Sequence, residues 1–456
     1  MVTVHRSHVV IPFEDTPSSI LSLSHCDQIK LPTHGSQLYL YANTCINNSS
    51  FKILMHTLST SLSKVLTHYY PFAGRLRWIQ GGRMQLLCNA KGALLVEASC
   101  DHQLKMEDLG DFAPSHVVEQ LVPKIDYDVP IEEIPLLAAQ LTRFPCGSLI
   151  LGLAMCRALV DGASVSGFVK SWAKLARGES LDSSLMPVLD RTLLDSRKLN
   201  KPPRFEHVEF FPPPLWTGNS FQHTNMRQQL VTAILELTKG RVEKLKKKAC
   251  DFGERRPFTS FEVISGHLWR CVCKVRYVGN GDQPTRLTTL VNCRNRLSPS
   301  LPKAYFGNAT FPTVTPTCSF DDIMHKPLSY AVGKLREAIE RMNDEYVRSA
   351  LDYIANLKDM HLLRNTFYNS SGKGKFNGDP NLYVVGWTNF SYYDTDFGWG
   401  KPLCTLPGNV NSDGKAFLMD NARGDGFIVA ICLQASHIDA LKKLFYEDID
   451  KPSAKL

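Results

Sequence analysis

A stretch rich in proline, serine and charged residues, 179–224, divides the sequence into two parts, each long enough to form its own core. It contains Lys201-Pro-Pro and Pro212-Pro-Pro-Leu, and prolines at this density interrupt both helices and strands. The chain has 456 residues, more than one hydrophobic core usually supports. We therefore predict an N-terminal domain at 1–178, an interdomain crossover at 179–224 and a C-terminal domain at 225–456.

Helical and strand patterns are mixed in both parts. Apolar residues recur at helical spacing over about 50–67 and again over 165–175, with Gly178 placed to end the second helix. Apolar runs of strand length, rich in β-branched residues, occur at 287–293 and 427–433. This mixture predicts an α/β (α+β) fold but leaves its topology open.

Composition excludes several classes of function. The net charge of +8 suits an anionic ligand, but the basic residues are too dispersed for a nucleic-acid partner. No window approaches the roughly 18 apolar residues of a membrane span. The 13 cysteines lack metal-site spacing, so we predict reduced thiols, an intracellular protein and no metal centre.

The last three residues, Ala454-Lys455-Leu456, are a conservative variant of the Ser-Lys-Leu peroxisomal address. We therefore expect a peroxisomal protein, with the cytoplasm as the alternative. Peroxisomes also produce acyl thioesters.

Two motifs carry the functional prediction. An apolar strand over 148–156 leads into Arg157-Ala-Leu-Val-Asp161-Gly162, and Asp396-Phe-Gly-Trp-Gly400 follows much later. Together they resemble the signatures of the plant BAHD acyl-CoA-dependent acyltransferases, His-x-x-x-Asp-Gly and Asp-Phe-Gly-Trp-Gly. Further segments resembling this family, in the same order, are Val4-His-Arg-Ser-His-Val-Val-Ile-Pro, Pro71-Phe-Ala-Gly-Arg-Leu, Asn292-Cys-Arg-Asn-Arg-Leu and Tyr305-Phe-Gly-Asn308. The resemblance spans the chain and is greatest to the hydroxycinnamoyl-CoA branch.

The resemblance implies a two-domain chloramphenicol acetyltransferase-like fold. Each domain would be a mixed sheet flanked by helices, with a channel between the domains. It also implies transfer of an aromatic acyl group, of hydroxycinnamoyl or benzoyl type, to an amine or alcohol in plant specialised metabolism. Acyl-CoA would then be a co-substrate and not a permanently bound cofactor, and we expect a monomer.

Arg157 departs from the family motif at the position of its general base. In the family a histidine there removes the proton of the acceptor, whereas a guanidinium stays protonated and has no lone pair. A positioned general base contributes about 10² to 10⁴ in rate. Arg157 suits an anion or a carbonyl oxygen instead. Two hypotheses remain: Arg157 binds such a group of the substrate, or it pairs with a neighbouring acid in an idle site.

The resemblance assigns roles to two other channel residues. Asp161 would be architectural, paired with Arg294 or Arg296, and Gly162 would allow the turn into the next helix. Trp387 would donate to the tetrahedral oxyanion, although Val385 stands where relatives have an accompanying threonine.

Coenzyme A contacts are predicted from the second motif and from a basic segment. The residues concerned are Asp396, Gly398, Trp399 and Gly400, which would shape the coenzyme side of the channel, and Arg255 and Ser260, which would contact phosphates with Lys246, Lys247, Lys248, Arg256 or Thr259 nearby. A lysine-rich helix face is more often simply solvated.

Two further points concern the proton and the acceptor. His34, His68 and His267 are imidazoles that could replace the missing base, although His267 is expected to be structural. The segment 369–379 is a glycine- and lysine-rich loop without a secure counterpart of the shikimate-recognising arginine, which disfavours shikimate.

Three functions compete. The first is an aromatic acyltransferase that tolerates Arg157. The second is a BAHD-derived lyase or cyclase that acts on an anionic substrate without CoA. The third is a non-catalytic protein that keeps the fold.

Overall fold

The architecture is taken from a computed structural model, which describes residues 1–42, 48–101, 105–110, 113, 116–195, 202–211, 229–250, 256–368 and 378–451. Arg255, most of the 369–379 loop and the tripeptide Ala454–Leu456 lie outside these residues. The predictions made for them therefore stay predictions.

The first sheet contains strands β1 Val2–Val10, β3 His34–Tyr41, β6 Ala93–Cys100, β7 Leu137–Arg143, β8 Leu149–Cys156 and β15 Cys404–Pro407. Their order is β1-β6-β7-β8-β3-β15. β6 and β7 run parallel, and the other neighbours are antiparallel. β15 comes from the C-terminal half of the chain, so that half contributes an edge strand to the N-terminal sheet.

The second sheet contains strands β9 Leu230–Thr238, β11 Leu287–Asn292, β12 Thr310–Val314, β14 Leu382–Trp387, β16 Lys415–Asp420 and β17 Gly426–Gln434. Their order is β12-β11-β14-β16-β17-β9, with β14 parallel to both of its neighbours. Two small sheets are formed by β2 Ser19–Ser22, β4 Arg75–Ile79 and β5 Arg83–Cys88, and by β10 Pro284–Thr285 and β13 Cys318–Ser319.

The helices are α1 His25–Gln28, α2 Asn48–His68, α3 His116–Glu119, α4 Gly162–Ala176, α5 Lys239–Lys248, α6 Ser260–Arg276, α7 Phe320–His325, α8 Leu328–Glu340, α9 Asp344–Ala355, α10 Met360–Tyr368 and α11 Ala435–Asp450. Short 3-10 helices occupy Tyr70–Ala73, Gln80–Gly82, Met106–Leu109, Ser183–Leu185, Arg191–Leu194, Val208–Phe210 and Tyr392–Asp394. The helix predicted at about 50–67 is α2, and the strand predicted at 427–433 lies within β17.

The core of the first domain joins α2 and α4 to the first sheet. Leu58 and Leu62 of α2 and Phe168 of α4 are fully buried there. Trp172 donates its indole N–H to Ser61 Oγ at 3.0 Å, which ties the two helices together. Gly178, with φ of +77°, follows the end of α4 as its sequence position predicted.

The second sheet has two covered faces. Ala416 and Leu418 of β16 face the core shared with α6, α8 and α11. Phe417 and Met419 point the other way and cluster with Leu406 of β15. This opposite face is therefore turned toward the first domain. The two mixed sheets with flanking helices confirm the predicted fold class.

Candidate active site

Arg157 lies in the turn between β8 and α4. All residues of β8 are buried, and the strand ends at Cys156. The Arg157 amide donates to Thr33 O at 2.9 Å, and its carbonyl accepts from Asn308 Nδ2 at 3.0 Å. Hydrogen bonds at both the N–H and the C=O group therefore hold the backbone of Arg157 in place.

The Arg157 side chain is half-buried and binds none of the described acids. Its Nε is buried without a hydrogen-bond partner, and no carboxylate of the described ranges lies within ion-pair distance of its guanidinium. The shaft passes over β3, where a Cβ on Gly35 would lie 3.5 Å from Arg157 Nε. The hypothesis of a neighbouring acid thus finds no partner for Arg157 in this part of the chain.

Asp161 braces the same turn. It caps α4 by accepting from Ser164 N, and it forms a bidentate pair with Arg294 at 2.7 and 2.9 Å. It also accepts from Ala309 N at 2.8 Å. Burial alone would raise the pKa of Asp161, but Arg294 and these N–H groups outweigh it and lower the pKa. Arg296, the other predicted partner, donates instead to backbone carbonyls.

A second buried ion pair, which the motif did not reveal, lies beneath the turn. Asp27 accepts from Arg191 Nη1 at 2.6 Å and from the side-chain amide of Asn308 at 2.8 Å. Asn308 thereby links Asp27 to the Arg157 carbonyl. The only sequence signal was the Tyr305-Phe-Gly-Asn308 segment, which carried no assigned role. Arg191 belongs to the predicted crossover, so this part of the crossover contacts the first domain, whereas Arg204 and His207 further along contact Ser349 of α9.

His34 is the one candidate imidazole beside Arg157, since it pairs with Cys156 across β3 and β8. Its Nε2 lies 2.8 Å from Pro135 O, and its Nδ1 lies 2.8 Å from Tyr127 Oη. Burial lowers the pKa of His34 to about 4, and the charge of Arg157 acts in the same direction despite the hydrogen bond to Pro135. His34 is therefore a neutral, weakly basic ring whose basic nitrogen is already hydrogen-bonded.

The other two imidazoles lie elsewhere. His68 is the last residue of α2. His267 is buried in α6, with Nε2 2.8 Å from Phe445 O. The structural role predicted for His267 agrees with this contact.

Lys415 is a channel cation that the sequence reasoning missed. It begins β16, and its half-buried side chain lies on the face turned toward the first domain, with Nζ 5.1 Å from the Phe417 ring centroid. Burial and then the charge of Arg157 lower the pKa of Lys415 to about 7. The signal was available: Lys415 occupies an inward position of a strand whose next inward residues are Phe417 and Met419.

Trp387 lies on the same face, at the end of β14. Its ring packs against Phe417 at 4.7 Å and Tyr392 at 6.0 Å between centroids. Val385 is on this face too. Lys415 and Trp387 thus flank Phe417 on one face of the second sheet, and the charge of Arg157 acts on Lys415.

The Asp-Phe-Gly-Trp-Gly segment lies away from Arg157. Arg177, at the C-terminal end of α4, donates to Asp396 O, whereas Arg157 precedes the N-terminal end of that helix. A helix of 15 residues is about 22 Å long. Trp399 stacks on Phe397 and meets Tyr41 edge-on, at 5.3 and 5.7 Å. The motif is therefore an anchor on the first domain.

Asp396 holds this anchor in an unusual backbone path. Its Oδ1 accepts from Gly398 N at 2.7 Å and Gly400 N at 2.9 Å, and both glycines have φ near +100°. We expect Asp396→Ala to lower the free energy of unfolding by about 1 kcal/mol and to raise KM for acyl-CoA, whereas Asp396→Asn retains an acceptor oxygen. Thermal unfolding and donor titrations test this. An unchanged Tm together with an unchanged donor KM in the alanine variant would contradict it.

The residues predicted to contact coenzyme phosphates differ in their hydrogen-bond and ion-pair partners. Ser260 is the first residue of α6, whose cap is Thr259. Arg256 is paired with Glu262 and Glu340 at 2.9 and 3.0 Å. Lys248 donates to the carbonyls of Asp448 and Lys451. Ser260 lies in a first turn that the capping box between Thr259 and Glu262 already closes, so the phosphate contacts stay predictions.

Two features are absent from the described residues. They contain no group of three or more His, Cys, Asp or Glu side chains placed to hold a metal ion. None of their helices combines the length and hydropathy needed to cross a bilayer.

The chain is similar to known proteins over almost its whole length. A model of the Transferase family matches residues 1–448. The hydroxycinnamoyl-CoA:piscidic acid hydroxycinnamoyltransferase of Actaea racemosa is 39% identical, over 98% of this chain and 100% of its own. The shikimate O-hydroxycinnamoyltransferase of Nicotiana tabacum is 37% identical, over 98% and 99%. The crystal structure of vinorine synthase has a TM-score of 0.72 over 98% of both chains, at 23% identity, which shows a shared fold.

Proposed function

The chain belongs to the BAHD acyltransferase family, and from this premise we propose that it transfers an aromatic acyl group from CoA to the hydroxyl or amine of an acceptor that carries a carboxylate. The relatives are acyltransferases of this type, and they do not favour the alternative of lyase or cyclase chemistry without CoA. Acyl-CoA serves as the co-substrate.

The proposal of an acidic acceptor rests on the guanidinium of Arg157, which has no ion-pair partner among the described residues. Its Nε is a buried donor without a partner, and the described residues supply no carboxylate to its fork. A planar fork of donors matches a carboxylate in two parallel hydrogen bonds. The acceptors named for the two relatives, piscidic acid and shikimate, are both acids.

Few chemical groups take part in the proposed reaction. The acceptor oxygen or nitrogen attacks the thioester carbon, the carbon–sulfur bond breaks, and CoA leaves as a thiol with the proton that the acceptor gave up. Arg157 cannot take that proton, so a water molecule relays it; both ring nitrogens of His34 are already hydrogen-bonded. The indole N–H of Trp387 is the proposed donor to the tetrahedral oxyanion.

Product formation with a small matrix of donors and acceptors tests the proposal. Purified protein is mixed with p-coumaroyl-, caffeoyl- or benzoyl-CoA and with hydroxy acids, amino acids and their methyl esters, and the products are identified by mass spectrometry. We expect the free acids to be acylated and their esters to react far more slowly. Equal rates for acids and esters would contradict the acidic acceptor, and turnover without CoA would restore the lyase alternative.

Arg157→Ala is expected to raise KM for an acidic acceptor about 10- to 100-fold, because one or two charge-assisted hydrogen bonds are lost. KM for the acyl-CoA donor should change little. Arg157→Lys should recover only part of the loss, since an ammonium lacks the fork. Arg423→Ala, at an exposed loop position, is the matched control. Steady-state titration of each substrate measures these effects, and an unchanged preference for acid over ester in Arg157→Ala would contradict the assignment.

A further inference from the structure

A short segment before β12 holds the turn between β8 and α4. Gly307 N donates to Ser164 Oγ at 3.0 Å, and this hydroxyl donates to Gly307 O at 2.9 Å. The side-chain amide of Asn308 donates to Arg157 O at 3.0 Å. β12 belongs to the second sheet, whereas the turn follows a strand of the first sheet. A segment continuous with the second sheet therefore binds both ends of this turn.

The backbone of Arg157 is held from two sides. Its N–H donates to the carbonyl of Thr33, which directly precedes β3 of the first sheet, whereas its own carbonyl accepts from Asn308. A residue has only two soft backbone dihedrals, φ on the N–H side and ψ on the C=O side. The contact with Thr33 therefore restrains φ of Arg157, and the contact with Asn308 restrains ψ. The direction in which the Arg157 side chain leaves the backbone thus depends on Asn308.

Asn308 is itself firmly held. Its side chain is buried, and its backbone N–H and side-chain amide both donate to Asp27 Oδ1, at 3.0 and 2.8 Å. Asp27 is fixed in turn by the ion pair with Arg191 at 2.6 Å. A side-chain amide nitrogen carries two N–H donors, and here one is directed to Asp27 and the other to Arg157 O. Because both partners are acceptors, the amide has one orientation, and it links the position of Asp27 to that of the turn.

We propose that Asn308 is a positioning residue for acyl transfer, which fixes the carbonyl of Arg157 and thereby the direction in which the Arg157 side chain meets the acceptor. The inference rests on the proposed function, because it takes Arg157 as a residue that contacts the acceptor. Asn308 does not touch the reacting atoms and acts only through Arg157. A merely structural Asn308 would instead stabilise the fold without changing how the acceptor binds.

Steady-state kinetics of the full-length Asn308→Ala variant separate these two roles. Malate and dimethyl malate serve as free acid and ester, with p-coumaroyl-CoA as the donor. We expect KM for malate to rise about 10- to 100-fold, because a displacement of about 1 Å at a binding group has effects of this size. The values of kcat, of KM for the donor and of KM for the ester should change much less, since none of them depends on the direction of the guanidinium.

A double-mutant cycle tests whether Asn308 acts through Arg157. If it does, the variant that carries both Asn308→Ala and Arg157→Ala should have the same KM for malate as Arg157→Ala alone, within about twofold. Losses that multiply in the double variant would show that the two side chains act independently, and this result would overturn the inference.

Two matched controls lose comparable hydrogen bonds. Ser164→Ala releases Gly307 from the same turn but leaves the Arg157 carbonyl bound, so KM for malate should change much less than in Asn308→Ala. Asn356→Ala removes a side-chain amide from the carbonyl of Asp352 at 2.9 Å, at the end of α9, and should leave KM unchanged. An equal rise of KM in Ser164→Ala and Asn308→Ala would point to general loosening of the domains and overturn the specific role.

Thermal unfolding of each variant separates positioning from a folding defect. A lower Tm of Asn308→Ala, with kcat reduced equally for acid and ester and KM unchanged, would show a structural role only and overturn the inference. Asn308→Ser provides the same test if the alanine variant does not fold, because it keeps a polar side chain that is one bond too short for Arg157 O.

The same measurements distinguish failure of the inference from failure of the proposed function. If Arg157→Ala loses the preference for acid over ester while Asn308→Ala keeps both this preference and its KM, Asn308 does not position Arg157 and the proposed function stands. If Arg157→Ala keeps the preference, or if the wild type acylates none of the free acids, the proposed function is wrong and the inference falls with it.

Discussion

Replacement of Asp161 by alanine is expected to lower the free energy of unfolding by about 3–5 kcal/mol, the range for breaking a buried ion pair from one side. Arg294 would be left with its charge buried and its bidentate partner gone. The cap of α4 and the acceptor of Ala309 N would be lost in the same change. Because Arg157 precedes this cap in the same turn, activity should fall with stability.

Urea denaturation at pH 7 measures this effect. Asp394→Ala is the matched control, since Asp394 forms an exposed pair with Lys401 and should cost less than about 1 kcal/mol. The pKa of Asp161 is lowered in the folded protein, so its stabilisation is present above an unfolded-state pKa of about 4. This stabilisation is lost as the pH falls through the pKa that Asp161 has in the folded protein. The difference in the free energy of unfolding between wild type and Asp161→Ala should therefore become smaller in acid. A difference that became larger there would contradict the ion-pair explanation.

Gly152→Ala is expected to destabilise the protein by about 3 kcal/mol, at the upper end of the range for overpacking a core. A Cβ at Gly152 would lie 2.0 Å from Leu121 O. Because that oxygen belongs to the backbone, a whole segment must shift to make room. Gly152 lies in β8, the strand that leads to Arg157, so acyl transfer should fall as well.

The matched control is Gly167→Ala in α4. A Cβ there meets nothing within 4 Å, and alanine favours the helix over glycine. We expect Gly167→Ala to raise the free energy of unfolding by about 0.5–1 kcal/mol. Midpoints of urea unfolding compare the two variants directly. Equal destabilisation of both would show that the close approach of Leu121 does not govern the effect.

Local patterns predicted the secondary structure well. The helix predicted at about 50–67 is Asn48–His68, and the strand predicted at 287–293 is Leu287–Asn292. Gly178 follows α4 because a left-handed residue is needed where a helix ends. These predictions succeed because periodicity and capping depend on residues close together in the chain.

The ion pair of Asp161 was predicted because both partners lie in segments that resemble family motifs, although they are 133 residues apart. Asp161 was assigned an architectural role and a partner in 292–297, and the structure selects Arg294 over Arg296. Asp27 and Lys415 were missed. Neither belongs to a recognised signature, and each acquires its role from elements far away in the sequence.

The sequence by itself determined the family, the mixed fold and the presence of an arginine at the general-base position. Those properties follow from motifs and from local periodicity. Only the tertiary structure decided that β15 joins the first sheet, that Arg157 meets no described acid, and that Lys415 lies on the sheet face turned toward the first domain. These depend on how two sheets pack against each other, and no local pattern in the chain encodes the resulting distances between charges.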